Sequence, residues 1–335
     1  MNEENDKLIE LAEAEISALG IKRFDAHEMA GCPGCGRSNP PNRLKCLYCG
    51  GELPVNEIKP ELLRTKFRRL ETWEHGRNVV LLAADGSENE IAGVLIRELE
   101  FTSDDAQRLA SAASPVPVAR VESVAEAELV AAKITAAGGK CAVVEDRKLN
   151  AEHAPRRLRA LEFLADSLVA IDFNTYDEYQ IAASDVVLIV SGSIFRSKVE
   201  SAAKRVKGTS KVIDSMESTS DEMMIDIYDR SDAIGYRVST SGFDFSCLAE
   251  EKDLLSAENI IKLTSRLREF APAAAYVDGY SSIRSSLSVV WANEQRTDSK
   301  GMRQRGVGKK VIDKVATSDN LMQFTKFSRL QRVLS

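Results

Sequence analysis

Residues Ser123–Val144 read SVAEAELVAAKITAAGGKCAVV, and this stretch decides the class of fold. Ser123 and Glu126 stand as a capping box, in which each side chain can satisfy the other's orphan backbone amide. Behind them Val124, Ala127, Val130, Ala131 and Ile134 recur at helical spacing, so one face of the segment is apolar. Gly138-Gly139 stops the helix, and Cys141–Val144 is an apolar run of strand length. A capped helix that turns directly into a strand sets helix and strand side by side in one unit.

Upstream of this stretch, Val79–Leu82 reads as a strand. Ile91, Val94, Leu95 and Leu99 space like a helix, and Thr102 with Asp105 opens a second one. Val116–Val121 is extended, and Pro115 and Pro117 assign it to a sheet edge or a linking segment. Downstream, Leu158–Phe163 and Leu168–Phe173 read as two strands joined by a polar turn at Asp166. Val186–Val199 is a long strand, followed by a polar loop over Ser201–Asp221. Met223–Tyr228 and Tyr236–Ser239 alternate as a hairpin, and Phe243–Phe245 continues the sheet. Ser256 caps a helix with the stripe Ile260, Ile261, Leu263, Leu267 and Phe270; two more helices carry Ile283, Leu287 and Val290, then Leu321, Phe324, Phe327 and Leu330.

At the other end, residues 5–19 read as a helix capped by Asn5 or Asp6 and stopped by Gly20. The resulting plan is multidomain: an N-terminal helix over 1–22, a cysteine segment over 23–54, a linker arm over 55–76, an α+β domain over 77–150, an antiparallel sheet plus helix over 155–271, and a helical basic region over 272–335. A chain of 335 residues with 44% hydrophobic and 29% charged residues can bury cores of that number. No run reaches the roughly 18 apolar residues of a membrane helix, and the acidic, polar start of the chain lacks the order of a signal peptide. The expectation is a cytoplasmic protein without a membrane partner, whose paired cysteines hold metal in preference to forming disulfides.

Cys32-Pro33-Gly34-Cys35-Gly36 and Cys46-Leu47-Tyr48-Cys49-Gly50 are two Cys-x-x-Cys knuckles. Two intervening residues let both thiolates of a knuckle face one ion, and four sulfurs close the shell of a structural Zn2+. A disulfide or redox dithiol pair would need an oxidising compartment or a thioredoxin-like unit. The glycine-flanked knuckles resemble short bacterial zinc ribbons. Their spacing, with Asn39 between, is also similar to the Ran-binding-protein type of zinc finger, some members of which bind single-stranded RNA and others ubiquitin. The tryptophan usual there before the first cysteine is Ala30 in this chain.

The order of elements over 77–146 resembles the C-terminal domain of the bacterial ribosomal stalk protein, similar in fold to the ClpS adaptor. That resemblance implies a two-layer α+β fold and a docking role. The stretch matching the stalk's basic factor-binding helix start, Glu98–Asp105, is acidic here, which is incompatible with the same partner. The strands of 157–247 followed by the helix at 256–270 resemble pleckstrin-homology-like domains. The whole arrangement is similar to uncharacterised bacterial zinc-ribbon proteins.

The net charge of −6 conceals an asymmetry: Gln295–Ser335 holds ten Lys or Arg against three Asp. Such a tail can contact nucleic acid or fold back on its acidic body. Catalytic groupings are sparse. His27, His75 and His153 each stand apart from a nucleophile, Cys141 reads as core, and Cys247 lies beside Asp244 and Ser246 on a half-buried strand. Asp226 and Asp244 could pair for metal-assisted hydrolysis if their strands are neighbours. Gly308-Lys309-Lys310 lacks both the upstream glycine and the hydroxyl of a phosphate loop.

Three functions follow in order. The first is a non-enzymatic adaptor with an unknown protein partner. The second is an RNA- or ribosome-associated protein using Arg37, Arg43, Lys45, Arg303, Arg305, Lys309 and Lys310, with Lys326, Arg329 and Arg332. The third is a metal-dependent hydrolase or nuclease on Asp226 and Asp244.

Overall fold

The structure is a computed structural model that describes residues 24, 29–41, 43–54, 67–206, 209–304 and 310–335, with side chains omitted over 201–214 and 299–314. The helix expected over 5–19, His27, Arg305, Lys309 and most of the arm over 55–76 lie outside the described residues.

Strands β1 (Ala30–Gly31) and β2 (Ser38–Asn39) form a small antiparallel pair. From Arg77 the order is β3 (Arg77–Ala83), α1 (Glu88–Leu99), α2 (Ser103–Ala110), β4 (Val116–Val121), α3 (Val124–Ala136), β5 (Lys140–Glu145) and the short α4 (Asp146–Leu149). The strands pair antiparallel in the order β4-β3-β5. Local chemistry sets the helix starts. Ser123 Oγ accepts the Glu126 amide at 3.2 Å while the Glu126 carboxylate accepts the Ser123 amide at 3.0 Å. Thr102 Oγ1 accepts the Asp105 amide at 3.2 Å. β4 lies at an edge of its sheet, and a register shift beside Val80↔Pro117 accommodates the proline's missing donor.

The larger sheet is built from β6 (Arg156–Phe163), β7 (Ser167–Asp172), β8 (Glu178–Ala182), β9 (Val186–Val206), β10 (Thr209–Asp229), β11 (Tyr236–Ser239), β12 (Ala275–Val277), β13 (Glu294–Gln304) and β14 (Lys310–Asp319). Its order is β13-β14-β9-β10-β11-β6-β7-β8. It is mostly antiparallel; β11 with β6 and β12 with β9 are the parallel pairs. Three helices accompany it: α5 (Ser256–Phe270), α6 (Tyr280–Leu287) and α7 (Leu321–Leu334).

Both faces of this sheet are covered near its base. Leu188, Val190, Met224 and Tyr228 face α6 and α7 in one core, whereas Ile189, Ile225 and Ile227 join Ile260, Leu263 and Leu267 of α5 in the other. Successive strand residues point to opposite faces, so burial on both sides requires an uninterrupted apolar run such as Val186–Val190. Gly192 of β9 lies against both helices: a Cβ there would lie 2.7 Å from the rings of Phe324 and Tyr280. The first core also takes in Val79, Ile91, Leu95 and Ile134, which ties the three-stranded sheet to the larger one.

Four expectations are corrected. Ser201–Asp221 is not a loop, because β9 and β10 run 21 residues each and pair along nearly all of that length. Beyond the helices water meets the strands, and Ser215–Asp221 is exposed; such a ribbon needs no apolar alternation and its sequence resembles a loop. The region 272–335 is not simply helical: β13 and β14 form a hairpin whose inner strand pairs with β9, so the sheet crosses the expected boundary at 272. After an isolated bridge between Ala160 and Asp244, Phe245–Glu251 is 3-10 helix broken by a kink at Ala249 (φ +49°), which places Cys247 off the sheet. Ser256 is the first residue of α5 and not its cap; the loop before it is held instead by Asn259, whose side chain bonds both backbone groups of Asp253.

Candidate metal centre and basic arm

The cysteine segment is folded by its two knuckles. Gly36 and Gly50, at φ +72° and +71°, turn the chain so that their amides bond the Cys32 and Cys46 carbonyls at 2.8 and 3.0 Å. The two turns face each other and bring Cys32, Cys35, Cys46 and Cys49 together, with all four Sγ atoms within 4.8 Å of one another. Cys32 and Cys49 sulfurs stand 3.5 Å apart, and those of Cys35 and Cys46 3.6 Å. A disulfide requires about 2.05 Å, whereas the edge of a tetrahedron with 2.3 Å metal–sulfur bonds is about 3.8 Å. The cluster can hold a metal ion.

Asn39 supplies the internal frame. Buried between the knuckles, it accepts the Leu47 amide at 2.8 Å and donates to the Arg37 carbonyl at 2.9 Å and to Cys46 Sγ at 3.4 Å. The Tyr48 amide also reaches Cys46 Sγ at 3.4 Å. Burial raises the Cys46 thiol, but the amides of Tyr48 and Cys49 and the Asn39 side chain outweigh it and bring the group to about 6. At Cys35 the backbone at Arg37 favours the thiolate, yet burial and the three neighbouring thiols push the group up to about 12. Four sulfurs at this spacing cannot all ionise without a cation among them. The segment docks on the rest of the chain through Leu53, which packs with Leu129 of α3.

Arg37, Arg43 and Lys45 are exposed on this segment, and Arg37 lies 4.7 Å from the Tyr48 ring centre. The other basic candidates separate. Arg329 is 2% exposed and donates to the carbonyls of Ala233 and His153, so it is a core residue and not a surface contact. Arg332 donates to the Asp229 carbonyl at 3.1 Å, and Lys326 lines a cavity.

The backbone of Arg303 and Lys310 stands elsewhere, on a four-stranded arm. Arg303 pairs with Val311, Val311 with Lys204, and Lys204 with Lys211. One line across the arm therefore joins two segments about a hundred residues apart, 201–214 and 299–314. Together they hold ten of the chain's 45 Lys and Arg and two of its 51 Asp and Glu. Sequence reading found the second segment and missed the first, which it placed in a loop. Nearer the base the charges are paired: Arg196 with Glu222 at 3.0 Å and Lys198 with Glu200 at 2.7 Å.

The carboxylate pair considered for hydrolysis is not assembled. Asp226 is 1% exposed and forms a bidentate pair with Arg237 at 2.6 and 2.7 Å. Asp244 caps the 3-10 helix through Ser246 and lies against β6, with β11 between that strand and β10. Burial pushes the thiols of Cys141 and Cys247 up to about 11, the opposite of nucleophile activation. His75 and His153 are exposed. Among the described residues no helix is long and apolar enough to cross a membrane.

Comparison with protein-family models, with characterised proteins and with solved structures gives no match for this chain.

Proposed function

We propose that this protein binds the phosphate backbone of double-helical nucleic acid through the far end of its arm, and that the cysteine cluster holds one structural zinc ion. The observation that carries the first part is the register joining Arg303, Val311, Lys204 and Lys211 across four strands. Seven cationic residues against two acidic ones on the described strands 201–206, 209–214, 299–304 and 310–314 favour a polyanion, although the whole chain is acidic.

The arm's composition narrows the ligand. No Phe, Tyr or Trp occurs in 196–221 or 292–319, so it offers no ring on which unpaired bases stack. Four strands at about 4.8 Å spacing are also broader than the two-stranded ribbon that a major groove admits. Phosphate contact on a duplex remains, with charge and shape as the signals. An RNA duplex would be in keeping with an RNA- or ribosome-associated role.

The test is fluorescence anisotropy of the full chain with a duplex RNA, a duplex DNA and a single strand, over a salt series. The duplexes should bind, with log K falling linearly in log salt. A Lys204→Ser, Arg303→Ser, Lys310→Ser variant should bind at least about tenfold more weakly with a shallower slope. Equal binding and slope in that variant, or no duplex binding at about 50 mM salt, would remove the reading.

For the cluster, four thiolates leave no coordination position for water or substrate, so the ion's part is to fold residues 30–53.

A docking role for a protein partner has one observation in its favour. Leu254, Leu255 and Ile261, at and just before the start of α5, are 100%, 62% and 55% exposed. Photo-crosslinking from position 254 in cells should then give one dominant product; none would count against docking there.

A further inference from the structure

Between the three-stranded sheet and the C-terminal helices lies a cavity of about 650 Å³, within the size range of small-molecule sites. Residues 67–75 form one wall, β4 and the end of α1 a second, and residues 288–294 with α7 the third. Its apolar lining includes Leu99, Phe101, Val290 and Met322, and the exposed Trp73 stands on the first wall.

The charged groups of this cavity are not equivalent. Arg120 is fully engaged: it pairs with Asp146 at 2.8 Å and donates to the carbonyls of Leu70, Glu71 and Glu74. Asp146 in turn accepts from Gly76 and Asn78. Gln323 is committed to Tyr280 and the Trp291 carbonyl. Lys326, one turn of α7 from Met322 and Gln323, lines the same space and makes no hydrogen bond or ion pair with any described residue. Burial, then repulsion by Arg120, hold its ammonium below the usual lysine range; Asp146 and Glu294 attract it only from beyond ion-pair distance. Of the other carboxylates lining the cavity, Glu74 is paired with Arg68 and Glu98 with Lys133, and neither these nor Glu100, Glu152 and Glu294 gives this partly desolvated cation an ion pair among the described residues.

We propose that this cavity binds an amphipathic organic anion, its single charged head on the Lys326 ammonium and its apolar body along Leu99, Phe101, Val290 and Met322. The head supplies the counter-charge the protein does not provide, and the apolar lining removes the body from water.

The probe is 8-anilinonaphthalene-1-sulfonate added to the full chain, with N-phenyl-1-naphthylamine as the same body without the charge. One sulfonate per chain should bind with a blue-shifted emission. Lys326→Met, which keeps most of the length of the side chain, should weaken it at least about tenfold, the scale of one charge-assisted contact. The neutral probe should bind both proteins alike. Val290→Trp, which narrows the cavity beside its apolar lining, should weaken the binding of both probes while leaving the near-ultraviolet circular dichroism native. Decanoate and decyl phosphate should displace the sulfonate where decanol does not, and the stronger of the two identifies the head. Equal affinity of the sulfonate for the parent and Lys326→Met, or unchanged binding to Val290→Trp, overturns the proposal.

Discussion

Trp291 donates its indole N–H to the side-chain oxygen of Asn78 at 2.9 Å, across 213 residues of chain. Both groups are buried, and the Asn78 amide continues to the Val144 carbonyl and to Asp146. One asparagine on β3 thus fixes the C-terminal helices, the last strand of the small sheet and the Arg120–Asp146 pair relative to one another.

Asn78→Ala should therefore be costlier than its size suggests. It leaves the indole N–H without a partner and removes a donor from Asp146, so a loss of about 2–4 kcal/mol is expected. Trp291→Phe keeps most of the packing and should cost less. Urea midpoints at an unchanged m-value measure both, and a midpoint for Asn78→Ala equal to that of the parent would show the contact to be incidental.

The Asp226–Arg237 pair gives a second expectation. Asp226→Asn leaves a buried guanidinium with only Thr325 Oγ1 as a full partner and should destabilise by about 3–5 kcal/mol. Replacing both, as Asp226→Leu with Arg237→Met, should cost less than the single change, because no buried charge is stranded. A double variant less stable than Asp226→Asn would mean that the pair is a net stabiliser.

Asp105 links stability to pH. Hydrogen bonds from Ser286 and then Thr102, with Arg108 nearby, hold its carboxyl below the usual range. The folded value lies below the unfolded one of about 3.9. Its contribution is therefore complete above that pH and is lost as pH falls through the folded value. Ser286→Ala should lower stability by about 1–2 kcal/mol near neutrality and by less at about pH 2. Denaturation curves at the two pH values decide it; equal losses would assign the effect to packing between α2 and α6.

At the cysteine cluster, one equivalent of zinc per chain is expected by native mass spectrometry, and none in a Cys32→Ser, Cys35→Ser variant. Protons compete for the thiolates, so acidification should release the ion before the rest of the chain unfolds. Retention of metal by that variant would remove the four-sulfur reading.

What the sequence determined by itself was local. The capping pairs Ser123–Glu126 and Thr102–Asp105, the glycine stops and the Cys-x-x-Cys turns all act within a few residues, so their chemistry fixes helix ends and knuckles wherever the chain goes. The edge position of β4 was legible for the same reason, because Pro117 lacks a donor in any environment. Tertiary structure alone decided the rest. A solvated ribbon carries no apolar alternation, so the arm had no signature, and only strand pairing could set Lys204 beside Val311. A positive charge looks the same in sequence whether it is solvated or buried: packing turned Arg329 into a core residue, gave Arg237 its carboxylate and left Lys326 facing a cavity without one.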